Sequence, residues 1–545
     1  MKMLLRKIRS DTMCIILCIV SAILIRFAFA PYHCHFCLIS ALSLFLIVIS
    51  KTNSAFICGF SYGCIKAVTL SFWVINTLID YYSLSWTLSL TIFFIGIVIP
   101  SGIWMGVTGK CLKYPINRLA KAKTVFDVIT LSLLAASIFS TIEWCRISFS
   151  PENCWGFFPA AFSQTGNILS LIRYIGGIGI HFVVILICSL IATAIINYKN
   201  HLFSFKTSIT TAALIITILL TGKILQINHH HNLNESAELD IAIIHPVIDQ
   251  KQRWNSSFDQ QILALYKQMS LEAFKIGQSD KTRLIIWPET AITEGVFNST
   301  LTQAAIKEIT RKTGAWLLTG SPMFIGIGNE RKIYNSALLF SPNGKYIGRY
   351  DKNYLLPLAE KKYALFELGG YQEEKQLYEP GKNAKPIIFS DKNKKISLAT
   401  MICYEIGIPS LMQKIMSQEK IPQHQLIVNI SNDAWFGNSS ESEQQLDMLI
   451  LRSAEYGLPA IRATGYGVAA IIDANSKIVA KSKIDKKSVI KKTIYLKSYN
   501  PTFWAQYPNW IILFTVVIIV VFLAYTIGSE SGPHNLNRIF IKHPD

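Results

Sequence analysis

The chain has 545 residues, of which 51% are apolar and 16% charged, and its formal net charge is +19. Such a charge would suggest nucleic-acid binding in a water-soluble chain, but the sequence contains no basic stripe interleaved with aromatic residues. Much of the charge flanks apolar runs instead, so the composition argues for a membrane protein and against a nucleic-acid partner.

Long apolar runs dominate the first part of the chain, and one more follows a polar region. They lie near residues 11–30, 34–50, 55–78, 86–107, 124–144, 167–197, 207–227 and 510–528. Each approaches the roughly 20 residues that cross a bilayer as a helix. The first run is predicted to stay as a membrane helix, because no small-residue cleavage site follows it. We therefore predict a membrane domain with about seven transmembrane helices at 1–227 and a C-terminal transmembrane helix at 508–528.

Basic residues in the short loops predict the orientation, since Lys and Arg beside a span stay on the cytoplasmic side. They cluster before the first run and in every second loop, at Lys2, Arg6, Lys7, Arg9, Lys51, Lys110, Lys113, Arg118, Lys121, Lys123, Lys199 and Lys206. A cytoplasmic start followed by seven spans places the polar region outside the cytoplasm and a tail at 529–545 inside.

The polar region, 236–500, has short apolar runs separated by turn residues, typical of a layered α/β domain. Buried strands are predicted at 239–247, 283–289, 315–322, 396–405 and 425–432. Helices are predicted at 258–276, which has one apolar face, at 299–314 and at 444–457; hairpins are predicted around Asn343-Gly344 and Asn475-Ser476.

Three predicted strand ends carry reactive side chains: Glu289 in IIWPE, Lys352 in GRYDK and Cys403 in MICYE. A thiol is a useful nucleophile only as a thiolate, so it needs a cation beside it or a base to take its proton. Lys and Glu can supply both. Each residue alone has a structural alternative: a buried cysteine that only packs, a Pro-Glu turn, and a solvated Asp-Lys pair.

In this order, WPET, YDK followed by a Leu-Pro and a Glu, and ICYE resemble the nitrilase (carbon–nitrogen hydrolase) superfamily. That resemblance implies a Glu-Lys-Cys triad on an αββα sandwich. Membrane spans before and after the domain narrow the resemblance to the apolipoprotein N-acyltransferases. Further matches are EWCR at 143–146, SNDAWFG at 431–437 and RSAEYGLPAIRATGYG at 452–467.

The resemblance implies a ping-pong acyltransferase in the bacterial inner membrane, with its catalytic domain in the periplasm. Glu289 would be the general base, Cys403 the nucleophile that becomes a thioester, and Lys352 the cation that stabilises the thiolate and oxyanion. The acyl donor would be a membrane phospholipid, and the acceptor the N-terminal amine of an S-diacylglyceryl-cysteine apolipoprotein. No metal or other cofactor is implied.

Four further residues match the family by position. Glu360 is expected to orient the lysine or the base, Tyr404 and Glu405 belong to the CYE motif, and Trp254 corresponds to a tryptophan in a substrate loop. A structural role for each stays open; Glu405, for example, could cap a helix. The apolar loop at 362–370 and the region around Trp254 are expected to exclude water from the thioester.

Two segments depart from the family. The chain has IHPVIDQ at 244–250, where a Gly-Asn-Ile-Pro-like turn is usual, and NSSESEQQLD at 438–447 lacks the usual histidines.

Two rival functions stay open: a membrane-anchored amidase or hydrolase with the same triad, and a silent scaffold. Cys34 and Cys37 have the spacing of a metal or redox site but no second ligand pair in sequence, so a position at the edge of a span is favoured.

Overall fold

The computed structural model describes residues 2–80, 82–150, 154–198, 201–228, 237–277, 279–357, 360, 378–418, 422, 424–496 and 498–530. The predicted loop at 362–370 and residues 531–545 of the predicted tail lie outside this range. The chain forms an N-terminal helical region, a polar domain with two β-sheets and a final apolar helix.

Helices occupy each apolar run. They are α1 (Lys2–Ile25), α2 (His35–Lys51), α3 (Ala55–Ser71), α4 (Trp73–Asp80), α5 (Trp86–Phe93), α6 (Ile99–Leu119), α7 (Val125–Phe149), α8 (Gly166–Ile196) and α9 (His201–Asn228). Five helical segments of the described chain are long and apolar enough to cross a membrane, and α3 with α4 makes a sixth if this bent pair is one span. Apolar helices at His35–Lys51 and Trp510–Thr526 are shorter. The number of spans therefore stays a prediction.

Two predicted spans have interruptions that the sequence pattern did not indicate. The run at 55–78 forms two helices, α3 and α4, which meet at an angle of 55°. A π-helical turn at Phe94–Val98 joins α5 to α6. The bend matters because it directs α4 toward the polar domain, where Thr77 Oγ1 donates to the carbonyl of Trp435 at 3.0 Å.

A third interruption lies inside α8. Gly176 has non-helical dihedrals (φ 64°, ψ −178°), and a Cβ there would lie 2.6 Å from ring atoms of Trp504. The backbone N–H of the next residue, Gly177, donates to Glu455 Oε1 of the polar domain at 3.1 Å. The polar domain thus supplies the acceptor for a donor beside the interruption.

The remaining elements belong to the polar domain and the C-terminus. Helices are α10 (Gln250–Arg253), α11 (Asp259–Ala273), α12 (Thr300–Thr313), α13 (Pro409–Met416), α14 (Glu441–Tyr456), α15 (Phe503–Gln506) and α16 (Trp510–Glu530). Strands are β1 (Ala237–His245), β2 (Thr282–Ile286), β3 (Trp316–Ile325), β4 (Lys332–Phe340), β5 (Tyr346–Asp351), β6 (Ile387–Asp391), β7 (Lys394–Ile402), β8 (His424–Ser431), β9 (Ala460–Thr464), β10 (Ala470–Ile472), β11 (Ile478–Lys481) and β12 (Ser488–Leu496).

The described strands form two six-stranded sheets, ordered β12-β1-β2-β3-β4-β5 and β11-β10-β9-β8-β7-β6. The central strands β1, β2 and β3 are parallel, as are β7, β8 and β9. The outer strands pair antiparallel and include both predicted hairpins. Loops that leave β2, β7 and β8 at their carboxyl ends are where sites form in such sheets.

The layers follow from alternation along buried strands. In β1, Leu239, Ile241 and Ile243 belong to the core between the sheets, whereas Ala242 and Ile244 pack in the cluster that contains residues of α11 and α12. Helix α14 packs on β9 and β10 of the second sheet and, on another side, against α8. The domain is therefore an αββα sandwich, as predicted, and one of its helices also contacts the helical region.

Candidate active site

Glu289, Lys352 and Cys403 lie just beyond the ends of β2, β5 and β7 and line one cavity of about 840 Å³. Their exposed fractions are 6%, 2% and 5%. Three residues spread over more than 100 positions of the chain thus line one cavity, which lets them act on one reacting group.

Glu289 is placed by a close approach of its loop to β3. The backbone N–H of Trp287 donates to Leu318 at 2.8 Å, and that of Gly320 donates to Pro288 at 3.1 Å. A Cβ on Gly320 would lie 2.5 Å from Glu289 Cα, so the approach requires glycine at that position.

Lys352 sits between two carboxylates. Its Nζ lies 3.2 Å from Glu289 Oε1 and 2.8 Å from Glu360 Oε2. The amide Nδ2 of Asn335 donates to Glu289 Oε1 at 2.8 Å and to Glu360 Oε1 at 2.7 Å. Asn335 precedes Ser336, which pairs with Asp351 across β4 and β5, so strand register sets Asn335 beside the lysine. Four side chains form one closed polar group.

The charges in this group follow from burial and pairing. Burial raises the pKa of Glu289 above its ordinary value, although Lys352 and the Asn335 hydrogen bond oppose this. Burial alone would lower the pKa of Lys352, but Glu289 and Glu360 outweigh it and raise that pKa well above its ordinary value. The lysine therefore stays an ammonium, and Glu289 is a stronger base than an ordinary glutamate.

The second oxygen of Glu289 is bound from the opposite sheet. The backbone N–H of Asn432, just after β8, donates to Glu289 Oε2 at 3.0 Å. The Asn432 side chain donates to Gln250 Oε1 at 2.9 Å. Neither Asn432 nor Asn335 was assigned a role from the sequence. Asn432 lies in the SNDAWFG motif, which could have identified it. Asn335 lies in no motif, and only the register of its strand places it beside the site.

Cys403 occupies a strained turn at the end of β7. Its φ is +56°, in the left-handed region of backbone conformation that residues other than glycine rarely adopt. The carbonyl of Cys403 accepts from Asn429 Nδ2 at 3.0 Å, and the preceding N–H, of Ile402, donates to Glu405 Oε2 at 2.8 Å. The peptide unit that follows Cys403 and the one that precedes Ile402 are thereby fixed, which helps to maintain the strained conformation of Cys403.

The thiol is buried among mixed charges. Burial raises its pKa far above the ordinary value, and the carboxylate of Glu289 adds to this, while Lys352 opposes it. Cys403 is therefore a neutral thiol until a base removes its proton.

Glu405 joins the turn that carries Cys403 to the turn that carries Lys352. It is fully buried, and besides Ile402 it accepts from the backbone N–H groups of Asn353 (2.7 Å) and Tyr354 (2.9 Å) and from the Tyr350 hydroxyl (2.9 Å). The neighbouring Tyr404 donates its hydroxyl to the carbonyl of Leu355 at 3.2 Å. These contacts assign Glu405 and Tyr404 a connecting position behind the cavity.

Comparison with known proteins agrees with this architecture. Residues 247–502 match the family model "Carbon-nitrogen hydrolase", and residues 21–190 match "Apolipoprotein N-acyltransferase N-terminal domain". The chain belongs to the apolipoprotein N-acyltransferase family.

Relatives in this family align with most of the chain. An apolipoprotein N-acyltransferase of Geobacter metallireducens is 25% identical and covers 82% of this chain and 82% of its own length. One of Rickettsia typhi is 25% identical over 71% of this chain and 75% of its own. Among solved structures, an amidase of the nitrilase superfamily from Nesterenkonia AN1 is 15% identical, covers 50% of this chain and 94% of its own, and has a TM-score of 0.36. The family is one of N-acyltransferases, and the match of residues 247–502 assigns the polar domain to the carbon–nitrogen hydrolase superfamily, so the chain is an enzyme.

The cavity of this N-acyltransferase has walls from both regions of the chain. Trp254, 45% exposed, lines it together with Asp80 and Ser83 near the end of α4 and with Trp435 and Phe436. The ring centroids of Trp73 in α4 and Phe436 lie 4.9 Å apart. The helical region therefore supports one wall of the cavity.

Both segments that depart from the acyltransferase family adjoin the site. In 244–250, Val247 has a φ of +54° and Gln250 lines the cavity. In 438–447, Gln445 lies near Cys403, and Asp447 accepts from Ser163 of the helical region at 2.6 Å. Among the described residues, no group of three or more His, Cys, Asp or Glu side chains could hold a metal ion.

Proposed function

We propose that this acyltransferase moves a fatty acyl chain from a membrane phospholipid to the N-terminal amine of an S-diacylglyceryl-cysteine apolipoprotein, with Cys403 as the carrier. The observation that supports this best is a cavity that contains a thiol, a carboxylate and an ammonium and shares a wall with apolar helices. Both proposed substrates are membrane-anchored lipids, which such a cavity can reach.

In the first half-reaction Glu289 takes the thiol proton as the Cys403 sulfur attacks the ester carbonyl. The oxyanion that forms is stabilised by the Lys352 ammonium and by the backbone N–H of Tyr404, which follows the nucleophile. Collapse of this intermediate breaks the ester bond, and Glu289 returns the proton to the leaving alkoxide. A lysophospholipid leaves, and the acyl chain remains as a thioester.

In the second half-reaction the free α-amine of the lipoprotein attacks the thioester. Glu289 accepts the ammonium proton and then gives it to the departing sulfur, so the thiol and the carboxylate are both restored. Glu360 and Asn335 keep the ammonium of Lys352 in place through both half-reactions, since they contact it or the base within 3.2 Å. Trp254 contributes to substrate contact at the cavity rim.

We infer that the polar domain lies on the periplasmic side of a bacterial inner membrane. Lys113 donates to the carbonyls of Ile49 (2.9 Å), Ser50 (3.2 Å) and Thr52 (2.5 Å) at the turn between α2 and α3. The polar domain instead contacts the helical region through the end of α4 and through Ser163. The positive-inside rule assigns the basic turn between α2 and α3 to the cytoplasmic side. The contacts of the polar domain with other parts of the helical region support its proposed position on the opposite side.

The deciding experiment is the mass of the purified full-length protein after incubation with phospholipid. A fatty acyl mass should map to Cys403, and a diacylglyceryl-cysteine peptide should release it as N-acyl peptide. Cys403→Ser should abolish the adduct. Cys111→Ser, which removes an exposed thiol of α6, should not.

Two outcomes would reject the proposal in different ways. An adduct that is lost only to water, with no N-acyl peptide formed, would indicate the membrane-anchored hydrolase that uses the same triad. A bare thiol at Cys403 under all conditions, with phospholipid present, would exclude acyl transfer through this residue.

A further inference from the structure

A buried polar cluster contacts Cys403. It consists of Asn429, Asp433, Glu441, Gln445 and Arg462, and each is at most 1% exposed. Asp433 and Arg462 lie in the motifs at 431–437 and 452–467, but those motifs assign them no role, and the proposed transfer steps use none of the five residues. Buried charges and amides destabilise a protein unless they are paired, so each of these side chains needs a partner.

Arg462 is the centre of the cluster. Its Nη1 donates to Asn429 Oδ1 at 2.5 Å and to Gln445 Oε1 at 2.8 Å, and its Nη2 donates to Asp433 Oδ2 at 2.7 Å. A guanidinium has donors only. Both amides must therefore present oxygen to Arg462, which fixes the direction of their NH₂ groups.

Those two NH₂ groups point to the nucleophile. Asn429 Nδ2 donates to the carbonyl oxygen of Cys403 at 3.0 Å, and to that of Met401 at 3.2 Å. Gln445 Nε2 lies 3.9 Å from Cys403 Sγ and also donates to Glu441 Oε1. The Arg462 guanidinium thus orients two amides: that of Asn429 toward the backbone of Cys403, and that of Gln445 toward its sulfur.

We propose that Gln445 is a catalytic residue whose side-chain N–H stabilises the Cys403 thiolate, and that Arg462 is a positioning residue that aims Gln445 at the sulfur and Asn429 at the cysteine backbone. This rests on the proposed function, in which Cys403 carries the acyl chain. The N–H donates to sulfur when the proton leaves for Glu289, and again when the thioester breaks and sulfur departs as an anion. Gln445 itself transfers no group: in the first event the thiol proton goes to Glu289, and in the second the acyl group goes to the acceptor amine.

The charges around the sulfur explain why such a donor matters. The charged groups that affect the pKa of the Cys403 thiol are Glu289, Lys352, Glu441 and Asp433. Lys352 is already engaged by two carboxylates, and Asp433 is paired with Arg462. Burial raises the pKa of Glu441 well above its ordinary value, with the charge of Asp433 adding to this, which favours the protonated form of Glu441 and reduces its repulsion of the thiolate. A neutral, correctly aimed amide then stabilises the anion without a competing charge.

The test is the rate at which iodoacetamide alkylates Cys403 between about pH 7 and about pH 9 in the full-length protein, where the rate follows the thiolate fraction. Gln445→Met keeps the side-chain size and removes the donor. Alkylation should be about tenfold slower across this range, and kcat should fall by a similar factor with KM for phospholipid unchanged. Arg462→Lys should slow alkylation in the same direction, because it releases both amides.

Gln444→Met is the matched control. Gln444 is the neighbouring buried residue of α14, but its amide donates to Leu70 O and Ser440 Oγ, both at 3.1 Å, and not to sulfur. Its alkylation rates should equal those of the unmodified protein. Alkylation of Gln445→Met at unmodified rates would overturn the inference, even if turnover fell and even if Arg462→Lys failed to fold.

The alkylation rates need no lipid substrate, so the two proposals fail separately. Slow alkylation of Gln445→Met in a protein that never becomes acylated would reject the proposed function and support the sulfur contact. Normal acylation by both the unmodified protein and Gln445→Met would support the proposed function and reject the role of Gln445.

Discussion

The backbone N–H of Asn432 lies 3.0 Å from Glu289 Oε2, so the carboxylate that follows β2 in one sheet is held by a residue that follows β8 in the other. The nucleophile, Cys403, belongs to the second sheet as well. The distance between the proposed base and the thiol therefore depends on the packing of the two sheets, and substitutions far from the cavity that shift one sheet against the other should impair acylation.

Replacement of Asn335 should alter the acid–base behaviour of Glu289. Asn335→Leu removes the N–H groups that bind both Glu289 and Glu360 and thereby removes a contribution that lowers the pKa of Glu289. With the pKa of Glu289 raised further, the base form is present only at higher pH. The acidic limb of the pH–rate profile for Cys403 acylation should move upward, and the rate near neutral pH should fall about tenfold.

Ser336→Ala is the control for this change. Its hydroxyl donates to Asp351 at 2.6 Å, from the adjacent position of the same strand. A profile of Asn335→Leu that coincided with that of Ser336→Ala would show that the amide does not tune the base.

Glu405 should give the protein a measurable pH dependence of stability. Burial raises its pKa to about 7. Between its ordinary value and about 7, the folded protein holds a proton that the unfolded chain has released, so the contribution of Glu405 to the free energy of unfolding falls as pH rises through this window. The side chain in the Glu405→Gln variant cannot ionise, so the free energy of unfolding of that variant does not fall with pH for this reason.

Chemical denaturation in detergent at about pH 5 and about pH 8 checks this, because the shift corresponds to up to about 3 kcal/mol. Glu405→Gln should be less stable than the unmodified protein at the lower pH, since its amide presents N–H at a position where a carboxyl oxygen accepted backbone N–H groups. Its deficit should shrink at the higher pH. A deficit that stayed the same or grew with pH would mean that the carboxyl group is already ionised at about pH 5.

Gly320 should be intolerant of even a methyl group. Gly320→Ala places Cβ 2.5 Å from Glu289 Cα and from the Pro288 carbonyl oxygen, so the loop that carries the base has to move. We expect acylation to slow by about 100-fold from misplacement of Glu289. Gly348→Ala in β5 is the matched control, because the nearest atom to its Cβ is Ile387 Cγ2 at 3.7 Å. Equal acylation rates for the two variants would refute this role of Gly320.

The contact between Thr77 and Trp435 should affect lipid entry. Thr77→Val removes the hydroxyl that binds the Trp435 carbonyl and loosens the cavity wall beside α4. We expect KM for the phospholipid donor to rise about fivefold, with little change in the alkylation of Cys403. Thr108→Val, whose hydroxyl bonds within its own helix to Trp104, should leave KM unchanged. If both variants raised KM equally, the effect would be one of helix stability.

The sequence predicted a layered α/β domain because its buried strands are apolar and short and its helix ends carry clear signals, and the resemblance to the nitrilase superfamily implied the αββα sandwich. Ser299 caps α12, and Gly314 and Gly457 adopt left-handed conformations where α12 and α14 end. Interruptions of the membrane helices were missed, because hydropathy is continuous across the bend between α3 and α4 and across Gly176.

The candidate site was predicted only where a motif named its residues. Glu289, Lys352 and Cys403 stand in recognisable local patterns and do line one cavity, while their chemical roles stay predictions. Asn335 and Gln445 take their positions from strand register and helix packing, and Arg462 lies in the motif at 452–467, which does not indicate that it contacts Gln445. Segment 438–447 was noticed only for the histidines it lacks.

The interruption of α8 at Gly176 has a practical consequence for anyone who wishes to study the sandwich separately. Excision of the polar domain would strip Glu455 of its backbone donor and turn the face of α14 that packs on α8 toward solvent. A truncated fragment should therefore aggregate or require detergent, and crystallisation, screening and engineering of this enzyme need the intact polypeptide in a lipid-like medium.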